Sequence, residues 1–176
     1  MAIDHVKSAT ITNLDASPSV ANTAGEGAGG LLKEVFGFNT AVAASSVNAT
    51  YQWVRVPTTA KVKSIIFESE AQAAGNVDIG VYRATDGVGN QPTTLLAANA
   101  VSQGFFATAV VCTAAVTPTE VVNESGTYTL DKRNMPLWQA VGLTSDPGGF
   151  FDIVGTVTTA VTTGTGKWGI SVRYVE

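Results

Sequence analysis

From Leu31 to Glu176, apolar and polar residues alternate mainly at period two, the spacing of a strand with one covered face. The segment "NVDIGVYRATDG", Asn76 to Gly87, shows this best: Val77, Ile79 and Val81 share one side, and Asp78, Gly80 and Tyr82 the other. It stops at Asp86-Gly87, so it reads as one half of a hairpin, with Asp78 and Tyr82 facing solvent or a neighbouring subunit. Upstream, "LLKEVFGFNTAV" places Leu32, Phe36, Phe38 and Val42 on one side and Lys33 and Val35 on the other. In "YQWVRVP", Tyr51, Trp53 and Arg55 oppose Gln52, Val54 and Val56, and Pro57 ends the run because proline cannot donate to a sheet ladder. "KVKSIIFESE" separates Val62, Ser64, Ile66 and Glu68 from Lys63, Ile65, Phe67 and Ser69.

Alanine in residues 93 to 117 permits a helix, but Val, Thr and Phe after Gly104 favour a strand. "ESGTYTL" reads as a strand entered through Ser125-Gly126. The exception is "NMPLWQAVGL", where Asn134 can cap, Pro136 suits a first turn and Gly142 suits the end, giving one short helical turn near 135–142. "FFDIVGTVTT" and "KWGISVRYV" are strands separated by "TTGTG", the last with Trp168, Ile170, Val172 and Tyr174 alternating. About eight short strands with turn residues between them predict an all-β fold, a jelly-roll-like β-sandwich over residues 31–176.

Residues 1–30 differ. They are rich in Ala, Ser, Thr, Asn and Gly and contain no aromatic residue. Ordering them costs at least about 1 kcal/mol each, which requires on the order of 1,200 Å² of apolar burial that the segment does not carry alone. The segment is therefore expected to be an extended N-terminal arm that docks along a partner, with Ile3, Val6, Ile11, Leu14 and Val20 as its apolar anchors.

The length of 176 residues suits one domain plus an extension, and such a body buries roughly 68–70% of its unfolded surface without covalent staples. The single cysteine, Cys112, lies in an apolar run and is expected to be a buried, inert thiol. A net charge of −4 with scattered Lys and Arg argues against nucleic acid as a partner. No apolar run approaches the ~20 residues that span a bilayer, and residues 1–30 lack the basic start and apolar core of a secretion signal, so synthesis in a cytoplasm is expected. Asn48 and Asn123 open glycosylation patterns that have no meaning without secretion.

Candidate chemistry is sparse. His5, the one histidine, falls in the arm, where no nucleophile can be held against it. One His and one Cys cannot supply the three or four ligands of a zinc site. Gly25 to Gly30 formally fits a dinucleotide fingerprint, but no strand precedes it and it reads as a hinge. Asp86 and Asn90 fall short of the six or more oxygens calcium needs. Glu68 and Glu70 share a strand face, and Asp78 would join them if residues 61–70 and 76–83 formed a hairpin, giving a carboxylate set for a hydrolase. Trp53, Trp138 and Trp168 could form a sugar-stacking platform, although their place in apolar alternations favours the core. No catalytic residue, metal or cofactor is expected.

The segments "ITNLDASP", "NTAGEGAGGLLKEV", "VRVPTTAKVKSIIFESEAQAAGNVDIGVYRATDG", "ESGTYTL", "PLWQAVGL", "DPGGFFDIV" and "VRYV" together resemble small virion proteins of tailed bacteriophages, the head decoration or cement proteins. The resemblance implies a β-sandwich that binds the major capsid protein on the capsid surface as a homo-oligomer, commonly a trimer. A carbohydrate-binding module of a phage tail or fibre is the alternative, and a hydrolase built on the three acids a third.

Overall fold

A computed structural model describes residues 30–42, 45–72, 74–84, 100–161 and 166–176. Eight strands run in chain order: β1 (Leu32–Thr40), β2 (Thr50–Pro57), β3 (Lys61–Ser69), β4 (Asn76–Arg83), β5 (Ala100–Val111), β6 (Val116–Glu120), β7 (Phe150–Thr159) and β8 (Lys167–Val175). A 3-10 turn (Leu130–Asn134) and one short helix, α1 (Leu137–Ala140), lie between β6 and β7. The strands form two four-stranded sheets, ordered β1-β8-β3-β6 and β2-β7-β4-β5, and every pairing is antiparallel. That interleaving, with sequence neighbours β1 and β2, β2 and β3, and β7 and β8 in opposite sheets, is the two-Greek-key order of a jelly roll. The expected all-β sandwich is therefore the observed one, with the helical turn in place.

Apolar alternation explains the core between the sheets. Val77, Ile79 and Val81 are fully buried from β4, as are Val62, Ile65 and Phe67 from β3 and Ile170 and Val172 from β8. Strict alternation fails at two bulges. The β2–β7 register slips between Gln52 and Val54, so Tyr51 and Trp53 face the core before the slip and Val54 and Val56 after it, while Arg55 turns outward. Likewise β3 slips against β8 between Val62 and Ser64, which puts Val62 on the same side as Ile65 and Phe67 rather than with Ser64 and Glu68.

Three further expectations are corrected. "ESGTYTL" is not a strand: Gly126 adopts φ 71°, the chain turns, and Tyr128 is buried with its hydroxyl donating to the Val62 carbonyl at 2.8 Å. β3 and β4 do not form a hairpin, because they belong to opposite sheets. Tyr82 does not face solvent; it is fully buried and its hydroxyl bonds Thr156 on β7. The Asp86-Gly87 turn lies outside the described residues.

Aromatic packing joins the two sheets. The Trp53 ring stands edge-on to Trp168, with centroids 6.2 Å apart, and tilts over Phe67 at 5.8 Å; Tyr51 meets Trp168 edge-on at 4.7 Å. Gly155, on neighbouring β7, gives the Trp53 ring its place, since a methyl there would lie 2.2 Å from a ring carbon. Replacing Gly155 by Ala should therefore lower unfolding stability by about 1–3 kcal/mol in urea titrations. The pair Gly155→Ala with Trp53→Phe should lose less than the sum of the single losses, because the smaller ring relieves the overlap.

Candidate assembly surface

The outer side of the β1-β8-β3-β6 sheet carries the least satisfied surface among the described residues. Along β1, Leu32, Phe36 and Phe38 are 59%, 57% and 55% exposed, and Leu31 and Val42 at its ends are more exposed still. Single exposed apolar residues are ordinary, but three on one side of one strand, broken only by Glu34, mark an interaction site. The apolar side of "LLKEVFGFNTAV" thus faces outward, and Val35 packs on the core. The cause is local: a side chain at Gly37 would meet the Trp53 carbonyl oxygen at 2.1 Å, so β1 presses its inner side against β2 there and its flanking aromatics point away.

Beside Phe36 and Phe38 lies a groove of about 440 Å³. Gly169 of β8 is its floor, in register with Phe38 on one side and Glu68 on the other. Val116 of β6 stands at the far wall and Glu70 and Lys167 at one end. The two rings are tilted at 36° with centroids 6.0 Å apart, and the Lys167 Nζ lies 5.8 Å from the Phe38 centroid. Exposed opposite charges pair between β1 and the end of the chain, in and just after β8. Lys33 bonds Glu176, which raises the lysine's pKa, and Glu34 accepts from Ser171 and, at 3.1 Å, from the Arg173 Nε, which together hold its carboxyl below the usual range. Such exposed pairs set the pattern of charge more than they stabilise.

The sequence-predicted acids do not gather. Glu68 and Glu70 line the groove, where Glu70 accepts the Lys167 backbone N–H at 2.8 Å. Asp78 sits on the other sheet, accepting from the Ala109 N–H at 2.8 Å and the Gln103 Nε2 at 3.0 Å. It clamps β5, whose register against β4 slips on both sides of Ile79 and whose Ala109 takes φ 52°. Of the tryptophans, Trp53 and Trp168 are core and Trp138 is half-buried against it, so no tryptophan platform forms; the exposed aromatic pair is Phe36 with Phe38. Alternation along β1 groups those two with Leu32, but does not disclose that the group faces outward. Cys112 is buried as expected, and burial pushes its thiol up to about 11. Ile3, Val6, Ile11, Leu14 and Val20, with His5 and the glycines at 25–29, lie outside the described residues.

No family model and no curated protein matches the chain. Among solved structures it is similar to a chain of the cyanophage Pam1 capsid asymmetric unit, at TM-score 0.51 and 14% identity, over 92% of this chain and 96% of that one. The likeness is one of fold.

Two outcomes follow from these placements. Asp78→Ala should cost about 2 kcal/mol in unfolding stability, the value of hydrogen bonds to a charged acceptor, without altering the β1 face. For Cys112, an unfolded thiol ionises near its ordinary value of 9.0 and the folded one near 11, so the unfolded chain loses the proton first. Stability should then fall as pH rises from about 9 to about 11, by on the order of 2 kcal/mol from this group. Buried Tyr82 and Tyr128, also raised, add loss of the same sign at higher pH. Urea titrations at pH 8 and pH 11 should show a smaller drop for Cys112→Ala than for the native chain.

Proposed function

We propose that the protein is a virion structural protein that decorates and stabilises a bacteriophage capsid, binding the major capsid protein as a homo-oligomer. The observation that carries this reading is the jelly-roll likeness to a capsid chain over nearly the whole of both chains. It is supported by the exposed apolar face on β1 and by the scattering of the candidate acids over two sheets. The role is one of binding, with no reaction assigned to Glu68, Glu70 or Asp78. Its location is the capsid surface.

Attachment on this reading is multivalent. Each subunit of the oligomer, a trimer in the favoured case, contributes a body and an arm through Ile3, Val6, Ile11, Leu14 and Val20. Linked contacts bind together far more tightly than any one alone when the lattice lets them engage at once. Purified protein mixed with undecorated phage capsids should co-migrate with them in a sucrose gradient. Deleting residues 1–30 should weaken that association by about 100-fold or more while the body stays folded by circular dichroism. Absence of the full chain from the capsid fraction would rule the reading out, and undiminished binding by the truncated chain would rule out the arm.

A further inference from the structure

We infer that the outer face of β1, with the groove beside it, is the surface through which one copy of this chain holds a second copy. This deepens the oligomer part of the proposed function and rests on that reading only there. Size is the first argument. A bare aromatic side chain presents roughly 150–250 Å², so Phe36 and Phe38, each more than half exposed, leave together with Leu32 on the order of 300 Å² of apolar surface. Patches of that size on lone subunits are often functional, and the groove beside this one extends the face toward the ~800 Å² that one partner gives to a stable interface.

Shape is the second. The face holds a projection and a hollow together: Leu32 stands out at the start of β1, and the groove floored by Gly169 opens beside Phe38 farther along the same strand. A surface bearing both complementary shapes can match the same surface of a second copy reciprocally, Leu32 of each subunit entering the groove of the other.

Charge is the third, and it decides between a second copy and a partner of opposite charge. Although the chain carries −4 overall, the charges on this face are of both signs: Glu34 bonds Arg173, Lys167 stands beside Glu68 and Glu70, and Glu120 bonds Ser64. A face that carries both signs can set its cations against the carboxylates of a second copy and does not call for a strongly basic partner. Glu34 and Arg173, with side chains 51% and 49% exposed, can also bond across such a contact without either being left unpaired.

The full chain, without capsids, should run above monomer mass in size-exclusion chromatography with light scattering at micromolar concentration. Leu32→Asp on the projection and Phe38→Asp in the hollow should each raise the apparent dissociation constant by about 30-fold or more, as the loss of a buried anchor does. Phe150→Asp, replacing an exposed phenylalanine of the other sheet, should leave it unchanged. Near-ultraviolet circular dichroism from the buried Trp53 and Trp168 should be the same in all three variants, which separates lost association from lost folding. A monomeric native chain would overturn the inference, and so would a native oligomer that survives both aspartate variants. If the native chain is monomeric yet co-migrates with capsids in a Phe38-dependent way, the face belongs to the capsid protein instead. The capsid reading then stands while this inference falls.

Discussion

The packing of Trp53 is the constraint on which the rest of the sandwich depends. Its ring lies against Trp168 and Phe67 of the opposite sheet and over Gly155 of its own, while its carbonyl stands against Gly37 of β1. A side chain so placed welds the layers at the point where β1 and β2 come closest. It also requires glycine at two positions, because a methyl at either would fall within 2.2 Å of a Trp53 atom. The exposed face is a consequence of this interior demand. With Gly37 pressed inward and no room for bulk on that side, Phe36 and Phe38 must turn to the outside.

The two sheets consequently present different outer sides. On the β2-β7-β4-β5 sheet, Tyr82, Asp152, Val154 and Thr156 are buried although they lie opposite the core-facing residues. Asp152, fully buried, is held by the Arg55 Nε at 2.6 Å and Nη2 at 3.0 Å and by the Gln52 Nε2 at 2.6 Å, so its charge is paired and its lone pairs used. The β1-β8-β3-β6 sheet instead shows large apolar side chains to solvent. The outer sides therefore differ, one with a buried and fully paired carboxylate and the other with exposed aromatic side chains.

The fold was legible where a strand is regular and central, and illegible where a single residue changes parity. Val77, Ile79 and Val81 announce β4 because nothing interrupts their period, and both sides of that strand have neighbours. Trp53 and Lys63 sit at bulges, and one inserted residue reverses the facing of all that follows. "GTYTL" has the residues of a strand, but what Tyr128 seeks is the Val62 carbonyl, a partner 66 positions away that composition does not disclose. The same holds for Asp78. In sequence it is an acid stranded among valines, and only the slipped register of β5 shows that its carboxylate is needed to hold Ala109 and Gln103. The candidate surface was half legible: Leu32, Phe36 and Phe38 could be grouped, but Val35 on the opposite side is apolar too, and the choice between them rests on Gly37 meeting Trp53.

An exposed edge strand with a row of apolar side chains is a hazard for a lone subunit, since it invites unspecific pairing. Three features restrain it here. The negative net charge keeps copies apart at long range, the Gly37–Trp53 contact ties the strand to the corner of the sandwich, and the Glu34–Arg173 pair interrupts the row between Leu32 and Phe36. What remains is a face large enough for a specific contact but small for a permanent one. On the proposed reading that modest size is suited to the task. Contacts that are weak singly allow subunits to sample positions and correct misplacement, and become firm only when a lattice engages several at once.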